Sequence, residues 1–161
     1  MVVPVPDSWN YAALDYSLES KIPYHMAFVR NHYVGRSFLQ PSQVTRSMDV
    51  RVKLNLVPKL VEGKRIISVN YSIVRGTTSQ SRIKILKEAG AKEVHVLISC
   101  PPHKNSCVYG IDFPDRKKLL AATATHEEIY RHLGADSVGY LSEEGIVEAT
   151  HQPKDHFCLV C

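Results

Sequence analysis

Five short runs of apolar, largely β-branched residues punctuate the chain: MVVPVP (1 to 6), YHMAFV (24 to 29), RIISVNYS (65 to 72), EVHVLIS (93 to 99) and SVGYLS (137 to 142). Segments with helical spacing separate most of them, and that alternation predicts an α/β fold with a largely parallel central sheet flanked by helices. After the first run, Ser8 is placed to cap a helix with Trp9, Ala12, Ala13 and Tyr16 as its apolar stripe. After the third, Thr78 is placed to cap a helix carrying Ile85, Leu86 and Ala89 and ending at Gly90. Thr125 and Glu128 have the spacing of a capping box ahead of HEEIYRHL, with Gly134 as the stop.

Residues 30 to 58 break the pattern. They are rich in Arg, Gln and Ser without a sustained period, which predicts a functional lid or mobile hairpin, centred on about 30 to 55. The reading is one domain over 1 to 150 and a cysteine-containing tail, read as truncated, over 151 to 161; no internal repeat is visible.

Composition narrows the function classes. The 161 residues are 44% apolar and 22% charged, as in an ordinary globular domain. No apolar run reaches the roughly 20 residues that cross a bilayer, and no signal segment opens the chain, so a cytoplasmic location without membrane partners is expected. The net charge of +4 is mild and dispersed, which points to an anionic small molecule rather than nucleic acid. Oligomeric state is left open, homo-oligomer included.

The candidate chemistry centres on SIVRGTTS (72 to 79), lying between a strand and a helix. Unpaired N–H groups at a helix start, the helix dipole and the hydroxyls of Thr77, Thr78 and Ser79 together suit a phosphate monoester. An ordinary capped turn is the alternative reading of the same residues. In an open parallel sheet, turns at the carboxyl ends of strands are where ligands sit.

SIVRGTTS after an apolar strand resembles the phosphoribosyl pyrophosphate (PRPP) signature of type I phosphoribosyltransferases. The whole chain resembles the C-terminal synthase half of the glutamine PRPP amidotransferase family, through VPVPDS (3 to 8), VRNHYVGRSFLQPSQVTR (29 to 46), VRVKLN (50 to 55), EAGAKEVHV (88 to 96), CVYGID (107 to 112) and LGADSVGYLSEEG (133 to 145). The resemblance implies a 5′-phosphate site at Arg75, Gly76, Thr77, Thr78 and Ser79. It implies a pyrophosphate loop at Asp7 and Ser8, and a flexible loop or hood including Arg30, Tyr33, Gly35 and Arg36. Magnesium would arrive with PRPP, held mostly by substrate oxygens. Arg36, Arg46, Arg51 and Lys53, in and after the loop, are further candidates for anion contact, with a solvated basic loop as the other reading. The ancestral reaction would be PRPP plus ammonia to phosphoribosylamine, in purine biosynthesis; the chain starts at the synthase-type strand, which implies no glutamine site.

The chain departs from that family at Asn70 and Tyr71, which stand where the signature has two adjacent acids. Those acids hold the ribose hydroxyls and stabilise positive charge on the ring. Losing such stabilisation costs about 3 to 4 kcal/mol per group in other systems. Ser68 and Trp9 are further oddities beside the same positions, with plain core packing as the other reading of Trp9. Two readings follow: an impaired phosphoribosyltransferase domain, or a non-catalytic, repurposed or engineered domain binding a phosphate-containing or new ligand.

Cys107, Cys158 and Cys161 resemble three of the four ligands of a [4Fe–4S] cluster found in one branch of the family. The fourth is missing; Cys100 as a substitute, a zinc site completed by His103 or His156, and free thiols are the alternatives. The eight histidines show no helical metal spacing and none is assigned to catalysis.

Overall fold

Four of the five apolar runs become neighbouring strands of one parallel sheet, in the order β1 (Val2–Pro4), β4 (Arg65–Asn70), β5 (Glu93–Ile98) and β6 (Ser137–Tyr140). The computed structural model describes residues 1–33, 54–107, 109 and 115–160. Val2 lies opposite Ile67, Asn70 opposite Ile98, and Ile98 opposite Tyr140, so the carboxyl ends of β4, β5 and β6 finish level.

The fifth run is not in this sheet. Tyr24 makes one parallel bridge to Val2, and Phe28–Arg30 (β2) instead pairs antiparallel with Leu54–Leu56 (β3). The stretch from 30 to 58, expected to be a lid or mobile hairpin, is flanked by ordered elements: β2 ends at Arg30, β3 opens at Leu54, and a short helix α2 (Pro58–Val61) follows with proline at its first turn. The centre of that stretch, residues 34–53 with Gly35, Arg36, Arg46, Arg51 and Lys53, lies outside the described residues.

Alternation along each strand sorts the two faces of the sheet. Ile66 of β4 and Val94, Val96 and Ile98 of β5 face α3 (Thr77–Glu88) and α5 (His126–Leu133), which contribute Ile83, Leu86, Ile129 and Leu133 to the larger core. Val2 and Val69 point the other way, onto Ala13 of α1 (Asn10–Ser20). Each fully buried aliphatic side chain contributes about 1.5 to 3 kcal/mol.

Helix ends agree with the sequence where the signal is local. Thr125 and Glu128 form the reciprocal capping box at α5, and Gly134 ends it at φ +70°. Two caps differ. Gly76, not Thr78, is the N-cap of α3, because the chain leaving β4 enters the helix at φ +83°. Ser8 caps nothing: α1 starts at Asn10 with Trp9 before it, and Ser17 rather than Tyr16 is buried on its inner face. The helices α4 (Leu120–Thr123) and α6 (Glu143–Glu148) complete the element order. The tail after His151 is tied back, by a Lys154–Glu143 ion pair and by the Asn105 amide donating to the Val160 carbonyl at 3.1 Å.

Candidate functional site

Two loops meet where β1 and β4 end. The N–H of Val5 donates to the Val69 carbonyl at 3.1 Å, so the Pro6–Trp9 loop runs beside the Tyr71–Gly76 loop at the carboxyl edge of the sheet. On the far side of β4, Ser99 N–H donates to the Asn70 carbonyl at 2.9 Å. The Tyr71–Gly76 loop is further pinned by Leu120 N–H donating to Val74 O at 2.8 Å and by the burial of Ile73.

The turn ending that loop has the shape an anion needs. Gly76 supplies no side chain to cap α3, and the first backbone bond of the helix is Gln80 N–H to Gly76 O at 2.8 Å. The N–H groups of Thr77, Thr78 and Ser79 therefore precede the helical ladder, at the positive end of a helix of 12 residues. Thr77, Thr78 and Arg75 are exposed, while Ser79 is buried against the core. Glycine is required at 76 for two reasons: its positive φ, and a Cβ there would stand 3.0 Å from Leu120 and 3.1 Å from Leu133.

Asn70 does not face solvent. It is 4% exposed, on the same face of β4 as Ser68 and Ile66. Its Nδ2 donates to Ser68 Oγ at 3.3 Å, and its Oδ1 accepts from Arg82 Nη1 at 3.1 Å. Arg82 projects from the inner side of α3, near Ser79, Ile83 and Leu86 in the helical register. Its Nε is buried without a hydrogen-bond partner, and among the described residues no carboxylate pairs with it. Burial lowers its pKa to about 10. Sequence reasoning passed over Arg82; the available signal was an arginine three residues after Ser79 and four before Leu86, on the apolar spacing of the helix.

Tyr71 turns outward and is 57% exposed. Its ring lies 6.1 Å from that of Trp9, tilted by 52°, which joins the two loops. Trp9 also packs against the larger core, so it serves both packing and the site edge; its indole N–H is buried and, among the described residues, unpaired. Asp7 forms an ion pair with Arg30 at the end of β2, tying the first loop to the β2–β3 ribbon, and Ser8 is exposed beside it. Tyr33 is fully exposed.

The cysteines do not assemble among the described residues: Cys100, Cys107 and Cys158 form no disulfide, and no group of three or more His, Cys, Asp or Glu side chains is placed to hold a metal. Cys161 lies outside the described residues. Cys100 is buried, its Sγ 3.7 Å from His103 Nε2, and burial pushes the thiol up to about 11, away from reactive thiolate. A groove between α3 and α5 is lined by Lys84, Lys87 and Arg131, each already paired with Glu88, Asp136 and Glu127 respectively. No helix of the described residues is long and apolar enough to cross a membrane.

No protein-family model matches the chain. Over 161 residues it is 48% identical to a protein named amidophosphoribosyltransferase from Methanothermobacter thermautotrophicus and 49% identical to one of the same name from Methanocaldococcus jannaschii. Each alignment covers 100% of this chain and 34% of the relative, so the chain spans about a third of the length of these curated relatives. Among solved structures, glutamine PRPP amidotransferase from B. subtilis, complexed with ADP and GMP, aligns with a TM-score of 0.85 at 45% identity, over 99% of this chain and 36% of that one. A structure described as the allosteric regulatory enzyme of purine biosynthesis aligns with the same TM-score at 44% identity, over 99% and 35%. The four-stranded parallel sheet with its flanking helices is the type I phosphoribosyltransferase fold.

Proposed function

Because the chain is homologous along its whole length to the C-terminal third of amidophosphoribosyltransferases, we propose that it is a phosphoribosyltransferase-type domain of purine biosynthesis whose transfer step is impaired. The observation that carries this reading is the turn Gly76–Ser79: an uncapped helix start after the second strand of the sheet, entered through a glycine whose positive φ and close neighbours disfavour a side chain.

In this reading the N–H groups of Thr77, Thr78 and Ser79 receive the 5′-phosphate of PRPP, and the exposed Arg75 adds charge. The Asp7–Ser8 loop borders the pyrophosphate, with Arg30 offsetting the charge of Asp7. Ammonia forms a bond to C1 of the ribose as the bond from C1 to pyrophosphate oxygen breaks, and positive charge grows on the ring. Neither Asn70 nor Tyr71 offers a carboxylate to that charge. Asn70 is in addition committed to Ser68 and Arg82. With both acids gone the rate falls by several orders of magnitude, at about 3 to 4 kcal/mol per group.

Magnesium bound with PRPP would screen the pyrophosphate. Of the two loops only Asp7 carries a carboxylate, so the ion's ligands would come mainly from substrate oxygens. The [4Fe–4S] reading is not supported by the placement of Cys107 and Cys158.

A second reading is favoured by the outward Tyr71 against Trp9: a repurposed, non-catalytic domain that keeps the phosphate end of the site and has lost the sugar end. Isothermal titration calorimetry with PRPP and magnesium, beside ribose 5-phosphate and inorganic phosphate, separates the two. PRPP binding well above that of phosphate, followed by slow ammonia-dependent release of pyrophosphate, supports the impaired enzyme. Equal binding of all three supports the repurposed domain, and no binding of any overturns the phosphate site itself.

A further inference from the structure

We propose that the site in front of the phosphate turn takes a phosphate monoester whose organic group is a flat aromatic ring stacked on Tyr71. This rests on the reading of Gly76–Ser79 as the phosphate cradle.

Tyr71 is the first residue after β4, in the same loop that ends at Gly76. The contact with Trp9 holds the Tyr71 ring at 6.1 Å and 52°, while more than half of the residue remains exposed. Trp9 is itself fixed by packing on the core. An aromatic side chain held in this way is a stacking surface that loses little rotamer freedom when a ligand ring settles on it. A ribose has the opposite requirement, because its hydroxyls need acceptors. Asp7 is already engaged by Arg30, and the Asn70 amide is turned into the core between Ser68 and Arg82. Hydroxyls brought to this site lose water without gaining a carboxylate, whereas a flat apolar ring has no such loss. Charge complementarity then orients the ligand, with the phosphate toward the start of α3 and the ring toward Tyr71.

Trp9 is the only tryptophan of the chain, so its fluorescence reports directly on the site. The full chain is titrated with phenyl phosphate, ribose 5-phosphate and inorganic phosphate, followed by Trp9 emission and by calorimetry. Phenyl phosphate is expected to bind about tenfold tighter than the other two, the worth of one stacking contact. Tyr71→Ala should abolish that tenfold while leaving inorganic phosphate affinity unchanged, and Tyr71→Phe should retain it; circular dichroism checks that both variants fold. Equal affinity for all three ligands overturns the stacking inference and leaves the phosphate cradle standing. So does a phenyl phosphate preference that survives Tyr71→Ala. Absence of phosphate binding in any form overturns the cradle and this inference together.

Discussion

Arg82 on α3 reaches Asn70 at the end of β4, with Nη1 3.1 Å from Oδ1, and so sets a part-buried guanidinium opposite a neutral amide. The two residues clasp the strand to the helix across the loop that ends in the proposed phosphate turn. A part-buried cation facing an amide gives up solvation, among the described residues without a countercharge, and there the Nε donor is unsatisfied as well.

Asn70→Asp is therefore expected to stabilise the fold, by about 1 to 3 kcal/mol, through a charge-assisted bond to Arg82. The pH dependence follows from burial, which lowers Arg82 from the ordinary arginine value to about 10. Below about 10 the guanidinium is charged in both states and its burial penalty is fully present. As pH rises from there towards the unfolded arginine value the folded state binds fewer protons than the unfolded one, so the penalty is relieved and the Arg82 contribution to stability increases. Urea unfolding of the two proteins at neutral pH and above 10 measures both effects. A variant less stable than the parent at neutral pH would contradict the buried-cation account.

The two substituted positions should behave differently toward PRPP. An aspartate at 70 is captured by Arg82, whereas one at 71 stands at the exposed edge of the site. Tyr71→Asp is expected to raise PRPP affinity about tenfold, by supplying one charged acceptor to the ribose, and Asn70→Asp alone to leave it nearly unchanged. Calorimetry on both variants decides this; a gain confined to Asn70→Asp would place residue 70, not 71, against the sugar.

Gly76→Ala places a side chain at φ +83° and a Cβ within 3.0 Å of Leu120. The expected cost is about 1 to 3 kcal/mol of stability together with loss of phosphate binding, because relief of the clash shifts the start of α3. Thermal unfolding with and without phosphate tests it: the parent should show a phosphate-dependent rise in Tm that the variant lacks.

At α5, the Glu128 carboxylate accepts from the Thr125 N–H at 2.7 Å and from the Thr125 hydroxyl at 2.9 Å. These bonds, the backbone one foremost, hold its pKa below the usual glutamate value. The stabilisation is present above the unfolded carboxylate range and is lost as pH falls through the depressed folded value. Thr125→Ala should lower Tm at pH 7 and show a shallower further loss on acidification than the parent. Identical acid profiles would mean that the Thr125 hydroxyl contributes nothing to the lowered Glu128 pKa, since the variant keeps the backbone bond.

The features legible in the sequence are those whose causes lie within a few residues. Thr125, Glu128 and Gly134 bound α5 because a cap is a bond between neighbours, and β-branched runs with helical spacing between them set the parallel sheet. Gly76 to Ser79 was visible as a turn from strand to helix, and Asn70 with Tyr71 as a departure from the signature the chain resembles. Tertiary structure decided the rest. Period-two alternation turns Asn70 inward with Ser68 and sends Tyr71 out, but only the packing of α3 on that face of β4 puts Arg82 against the amide. The pairing of β2 with β3 and the meeting of Trp9 with Tyr71 join segments far apart in the chain. No local propensity specifies such contacts; the second follows from the parallel crossover that sets the end of β1 beside the end of β4.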